Sequence, residues 1–136
     1  MRVSSNKVFF SAQSTEVGSV DNDSRHAKVL DILRRESVTF TVMTGVYKGN
    51  AERSIMLYSN SAKEHEANLA LAIDLALMFN QESVLEVAND GAAFLHVPGS
   101  GIFKSVGHFA EVDRETALAK ESYTYDEATN RYYIAE

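Results

Sequence analysis

"SVTFTVMTGVYKGNAERSIMLYS", residues 37–59, holds two β-branched and apolar runs on either side of a turn-forming segment. Val38 to Val42 leads into that segment, and Ile55, Met56 and Leu57 lead out of it. The pattern predicts two paired strands, "SVTFTVMTG" and "RSIMLYS". Between them lie Tyr47, Lys48, Gly49, Asn50 and Glu52. A hairpin requires only a couple of turn residues. A phenol and a carboxylate in the same connection therefore mark it as a candidate site.

The neighbouring segments extend the reading. "KVFFSAQS" (7–14) predicts a strand with Val8, Phe10 and Ala12 on one face, followed by a loop, "TEVGSVDND". Ser24 reads as the N-cap of a helix, "RHAKVLDILRR", that closes on two arginines. "SAKEHEANLALAIDLALMFN" predicts a second helix, with Glu64 and Glu66 in its first turns. Its second half is apolar nearly all round, broken only by Asp74, which predicts burial on more than one side and contact with another subunit. "SVLEVAND" and "AAFLHV" form a hairpin about Asn89-Asp90-Gly91, and Pro98 opens a loop, "PGSGIFKSVG". "HFAEV" reads as a short strand, "DRETALAKES" as a loop or one helical turn, and "YTYDEATNRYYIAE" as a terminal hairpin turning at Glu127 to Asn130.

The expected order is β-α-β-β-α-β with added C-terminal strands, in a single domain spanning residues 1–136. It predicts an α+β, ferredoxin-like antiparallel sheet with two helices on one face. The second face would be covered in a PII-like trimer whose sheets turn inward.

Composition narrows the function. With 13 Lys+Arg against 19 Asp+Glu the net charge is −6, and no basic cluster breaks the pattern, which disfavours nucleic acid and anionic membranes as partners. The absence of cysteine excludes thiolate chemistry. The longest apolar stretch, 69–79, is interrupted by Asp74 and falls short of the roughly 20 residues of a membrane span. "MRVSSNKVFF" lacks the apolar core of a signal peptide, so a cytoplasmic protein is expected.

Most remaining motifs have plain readings. "PGSGIF" lacks the lysine and the strand-turn-helix setting of a phosphate loop, and "KEHE" has no metal-ligand spacing. His26, His96 and His108 have no partner at a recognisable spacing. "SRH" at 24–26 reads either as a cap with two exposed polar residues or as a helix N-terminus able to hold a carboxylate. Tyr47 and Glu52 read equally as a site or as ordinary hairpin surface.

Six short motifs in order shift that balance. Phe10-Ser11-Ala12, "SRH", "TGVY", "ERSIML", "FAEV" and "YTYDEATNRYYI" together resemble the phage-encoded S-adenosylmethionine lyases, formerly called hydrolases, over most of residues 8 to 134. The segment between Tyr47 and Glu52 is shorter than the family pattern, and the second helix matches poorly.

The resemblance implies cleavage of S-adenosylmethionine to 5′-methylthioadenosine and L-homoserine lactone, which depletes the methyl donor and blunts host restriction. It implies a homotrimer with substrate bound between subunits. No cofactor or metal is implied, because S-adenosylmethionine is the substrate. Glu52 and Tyr47 would be the catalytic pair, with Glu52 accepting from the substrate ammonium. Ser11, Thr44, Arg25 and His26 would contact substrate. The competing reading is a PII-like trimeric sensor that binds an adenine nucleotide without chemistry. A third is an interaction module that inhibits a host enzyme by contact.

Overall fold

The computed structural model describes residues 6–14 and 17–136. The reading of 15–16 as loop, and of the first five residues as part of a segment that is no signal peptide, lies outside them.

The elements are β1 (Asn6–Phe10), α1 (Ser19–Arg35), β2 (Phe40–Tyr47), β3 (Asn50–Ser59), α2 (Ala62–Met78), β4 (Val84–Val87), β5 (Ala92–Val97), β6 (Ile102–Val112), α3 (Arg114–Leu118), β7 (Ser122–Asp126) and β8 (Arg131–Ala135). All strand pairs are antiparallel, and the sheet closes on itself in the order β1-β3-β2-β7-β8-β6-β5-β4.

This overturns the ferredoxin-like fold. The expected open sheet is instead part of an eight-stranded closed barrel with three helices. The difference arises downstream of Pro98. The segment expected to be a loop is strand, so β6 runs eleven residues, long enough to pair with β5 along its first half and β8 along its second. β7 then pairs with β2, Thr44 opposite Tyr125, and closes the ring. The second face of the sheet is thus covered by the chain's own strands, and the inward-turned trimer loses its premise.

Alternation along β1 explains the two cores. Val8 and Phe10 point outward and join Ile55, Leu57 and Val84 under Val29 and Leu33 of α1 and Ala72, Leu75 and Ala76 of α2. Phe9 points inward to Met43, Val87 and Ala93. Its ring lies 5.0 Å from that of Phe109, which stacks on Tyr133 at 5.3 Å.

Two further boundaries differ from expectation. The helix α1 begins at Ser19 behind Gly18, so Ser24 is not its cap, and Arg25 and His26 lie in its second turn rather than at its N-terminus. The hairpin turn is only Lys48-Gly49, both at positive φ (50° and 81°), the geometry of a two-residue primed turn. Tyr47 and Glu52 are therefore strand residues.

The helix α2 matches its expected span, with the Ser61 hydroxyl accepting from the Glu64 amide at 3.1 Å. No helix among the described residues is long and apolar enough to cross a membrane.

Candidate functional site

The site is built where β1 ends beside the β2–β3 ladder. A cleft of about 240 Å³ is lined there by Gln13, Val42, Met43, Thr44, Ala51, Glu52, Arg53 and Glu127. Gln13 organises the wall just beyond β1. Its side-chain carbonyl accepts from the Arg53 amide at 2.7 Å, its backbone carbonyl accepts from the Gln81 side chain at 2.8 Å, and its amide donates to the Ser11 hydroxyl oxygen at 3.0 Å.

Glu52 sits opposite Gly45, a position with no side chain to crowd it. Burial pushes its carboxyl above the ordinary value, a hydrogen bond from Ser11 and the charge of Arg25 pull it back, and the charge of Glu82 adds to the rise. A half-buried carboxylate held by one hydroxyl has acceptor capacity left for a cationic donor. At the outer rim, the Thr44 hydroxyl donates to Glu127 Oε1 at 2.9 Å.

Arg25 is committed elsewhere. Its Nε donates to the Ala12 carbonyl at 2.6 Å, a second guanidinium nitrogen donates to the Phe79 carbonyl, and the Phe79 ring lies 5.4 Å from the guanidinium carbon. It ties the end of β1 to the end of α2 and reaches Glu52 as a charge. His26 is 6 % exposed, with neither ring nitrogen hydrogen-bonded to another residue. Burial, then the charge of Arg53, lower its pKa, and Asp23 opposes them, so it is neutral at pH 7. Tyr47 is 57 % exposed at the hairpin tip, with the Lys48 ammonium 5.3 Å from its ring centre, and it does not line the cleft.

Of the residues read from sequence, the structure joins Ser11 to Glu52 and sets Thr44 in the same cleft lining, with Thr44 and Glu52 on opposite faces of the β2–β3 ladder. It sets Tyr47 apart, occupies Arg25 and buries His26. Gln13, Arg53 and Glu127 are additions that the sequence reading does not contain. Gln13 adjoins a motif already singled out and Arg53 and Glu127 lie within two others, but the place of Glu127 beside Thr44 depends on the long-range pairing of β7 with β2. Among the described residues, no group of three His, Cys, Asp or Glu side chains is placed to hold a metal ion. His65, from the "KEHE" run, instead bonds Glu86.

A cleft whose lining includes two carboxylates, Glu52 and Glu127, against one arginine, Arg53, suits a small cationic or zwitterionic ligand. The sequence profile of the S-adenosylmethionine lyase family matches residues 8–136, and the chain belongs to that family. It is accordingly an S-adenosylmethionine lyase enzyme. No curated protein matches the chain. Among solved structures it is similar to a phage S-adenosylmethionine lyase in complex with S-methyl-5′-thioadenosine, at 19% identity and a TM-score of 0.36, covering 75% of this chain and 87% of that one.

Proposed function

We propose that the enzyme cleaves S-adenosylmethionine by attack of the substrate's own carboxylate on its γ-carbon. The new C–O bond closes a five-membered lactone, and the C–S bond breaks with its electron pair passing to sulfur. The products are L-homoserine lactone and neutral 5′-methylthioadenosine. The nucleophile is already ionised at neutral pH and the leaving thioether needs no proton, so neither a general base nor a general acid is called for. The protein's task is to bend the methionine part into attack geometry and exclude water, and such orientation is worth roughly 7–11 kcal/mol in favourable cases.

The observation that supports this reading is Glu52, the half-buried carboxylate of the cleft in a chain of this family. It would accept from the substrate ammonium and fix the amino-acid end. Ser11 would hold Glu52 in position, and Thr44 would line the path of the substrate. The charge balance agrees. The substrate's sulfonium, ammonium and carboxylate sum to one positive charge, against two carboxylates and one arginine in the cleft.

Tyr47 would serve a neighbouring copy's site. The cleft is smaller than the roughly 300–1,000 Å³ of a complete ligand pocket. A second copy in a homotrimer, whose exposed hairpin tip presents Tyr47, would complete it. Depletion of the methyl donor, in the manner of a phage defence against restriction, is the role that follows. The PII-like sensor reading rested on the open sheet and falls with it.

Chromatography of S-adenosylmethionine after incubation with the purified protein should show methylthioadenosine, and substrate recovered intact would refute the assignment. If sites are shared between copies, co-assembled Tyr47→Phe and Glu52→Gln chains should recover activity that neither shows alone. Absence of recovery in mixed assemblies would place both residues in one chain's site.

A further inference from the structure

We propose that Arg25 of α1 and Gln81, just past α2, are positioning residues for Glu52: without touching substrate, they hold the segment after β1 against which that carboxylate is set. The proposal rests on the reading of Glu52 as the substrate's anchor and names what keeps the anchor in place.

The observation that carries it is where the backbone bonds of residues 11–14 go. The chain leaves the sheet at Phe10, so the polar groups beyond it lose their ladder partners and must find others. Side chains supply them. Arg25 Nε donates to the Ala12 carbonyl at 2.6 Å, and Gln81 Nε2 donates to the Gln13 carbonyl at 2.8 Å. Asn22, one turn before Arg25 on α1, accepts from the Ser14 amide at 2.9 Å and donates to the Ser14 carbonyl at 2.8 Å. Gln81 is itself fixed to α2, its amide donating to the Ala76 carbonyl at 2.8 Å. A stretch outside any strand is thus gripped from α1 on one side and the end of α2 on the other.

Glu52 and its strand rest on that same stretch. The Ser11 hydroxyl oxygen accepts from the Gln13 amide at 3.0 Å, which leaves its proton for the Glu52 carboxylate. Gln13 Oε1 accepts from the amide of Arg53, the next residue of β3, at 2.7 Å. A binding group needs this kind of support, because its geometry must be kept to within about 0.5 Å.

Arg25 adds a charge to the grip. With Ala12 and Phe79 carbonyls as its acceptors and the Phe79 ring 5.4 Å from its guanidinium carbon, it cannot swing toward a ligand without breaking these contacts. Fixed there, it favours the ionised form of Glu52, while Glu82, next to Gln81, acts in the opposite sense. Among the described residues these are the charges that act on Glu52 from α1 and from the segment after α2, and Arg53 and Glu127 share its cleft.

The test follows the Glu52 carboxyl across pH by carbon-13 NMR, its signal assigned by its loss in Glu52→Gln, and so does not depend on turnover. Arg25→Met should move the titration to higher pH, and Arg25→Lys, which keeps the charge but not the paired carbonyl contacts, should leave it near wild type. Glu82→Gln, at an exposed side chain, should move it to lower pH. With S-adenosylmethionine, Arg25→Lys and Gln81→Leu should lower kcat by as much as about 100-fold, the cost of a displacement of about 1 Å, with the acid limb of kcat/KM in place. Should Arg25→Met not fold, the other three variants carry the test. A titration unmoved by Arg25→Met and Glu82→Gln, or wild-type kcat in Arg25→Lys and Gln81→Leu, would overturn the proposal. So would variants whose only change is a lower unfolding temperature, because the contacts would then be merely structural. A wild type that leaves S-adenosylmethionine intact while the titrations move as stated would refute the lyase reading and uphold the positioning of Glu52.

Discussion

At the residue scale the account turns on Glu52. Glu52→Gln keeps the shape and the hydrogen bond from Ser11 but removes the charge that would meet the substrate ammonium. Steady-state kinetics should show kcat/KM reduced by roughly 10- to 100-fold, the range for removing a charge-assisted hydrogen bond. Wild-type turnover in that variant would refute the anchor. The pH dependence follows from the environment of the same group. Burial raises its pKa above 4.5, so the neutral acid persists to higher pH than in an ordinary glutamate. Only the carboxylate pairs with an ammonium, so kcat/KM should fall as pH drops through that raised value. A profile flat down to the ordinary glutamate range would contradict it. Ser11, Thr44 and Glu52 are legible because they sit in short motifs that the sequence presents locally. Arg25 and His26 are not, because Ser24 resembles a cap, whereas the helix starts nearly two turns earlier behind an uncapped Gly18. Nothing local announces that start.

At the element scale, α2 is tied to the barrel wall by a polar contact beneath its first turns. The Glu86 carboxylate on β4 meets His65 Nε2 of α2 at 2.6 Å and His96 Nε2 of β5 at 2.8 Å, and Phe103 stacks on His96 at 5.4 Å. Burial raises the Glu86 pKa, but the hydrogen bonds and charges of the two imidazoles outweigh it, and the net shift is downward. A carboxylate depressed in the folded state contributes stability that is present above its unfolded pKa and lost as pH falls through the folded value. Glu86→Leu should therefore lower stability by about 2 kcal/mol near neutral pH, since it leaves two largely buried imidazoles without their acceptor. The gap to wild type should close in acid. Urea unfolding at both pH values measures it, and a constant gap would contradict the tie.

A second element-scale test concerns barrel closure. Gly107 on β6 has φ 94°, and a Cβ there would collide with the Glu136 backbone, which exchanges hydrogen bonds with His108 at 2.8 Å. Gly49 has a similar φ of 81° with nothing within 4 Å. Gly49→Ala should cost about 1 kcal/mol from backbone strain alone. Gly107→Ala should cost about 2–4 kcal/mol, because overpacking adds to strain. Equal losses in thermal unfolding would mean that β6 and β8 do not meet there.

At the scale of the whole molecule, α2 and the three hairpins are legible because each is a local pattern. Periodicity marks α2, Asn89-Asp90-Gly91 marks one turn, and Lys48-Gly49 lies within another. The barrel is not legible. Its closure requires β2 to pair with β7 across some eighty residues, and β6 is largely exposed, with its polar residues and Gly107 masking a strand pattern. The same long-range pairing delivers Glu127 to the cleft, so the error in fold and the omission in the site share one cause.

The proposed chemistry makes one demand of the molecule: water must take no part in breaking the C–S bond. The direct measurement is mass spectrometry of the amino-acid product formed in ¹⁸O-water and sampled at once. Intramolecular attack predicts unlabelled homoserine lactone released with methylthioadenosine. Label carried by freshly formed homoserine, with no lactone preceding it, would show that water is the nucleophile and contradict the ring-closing mechanism.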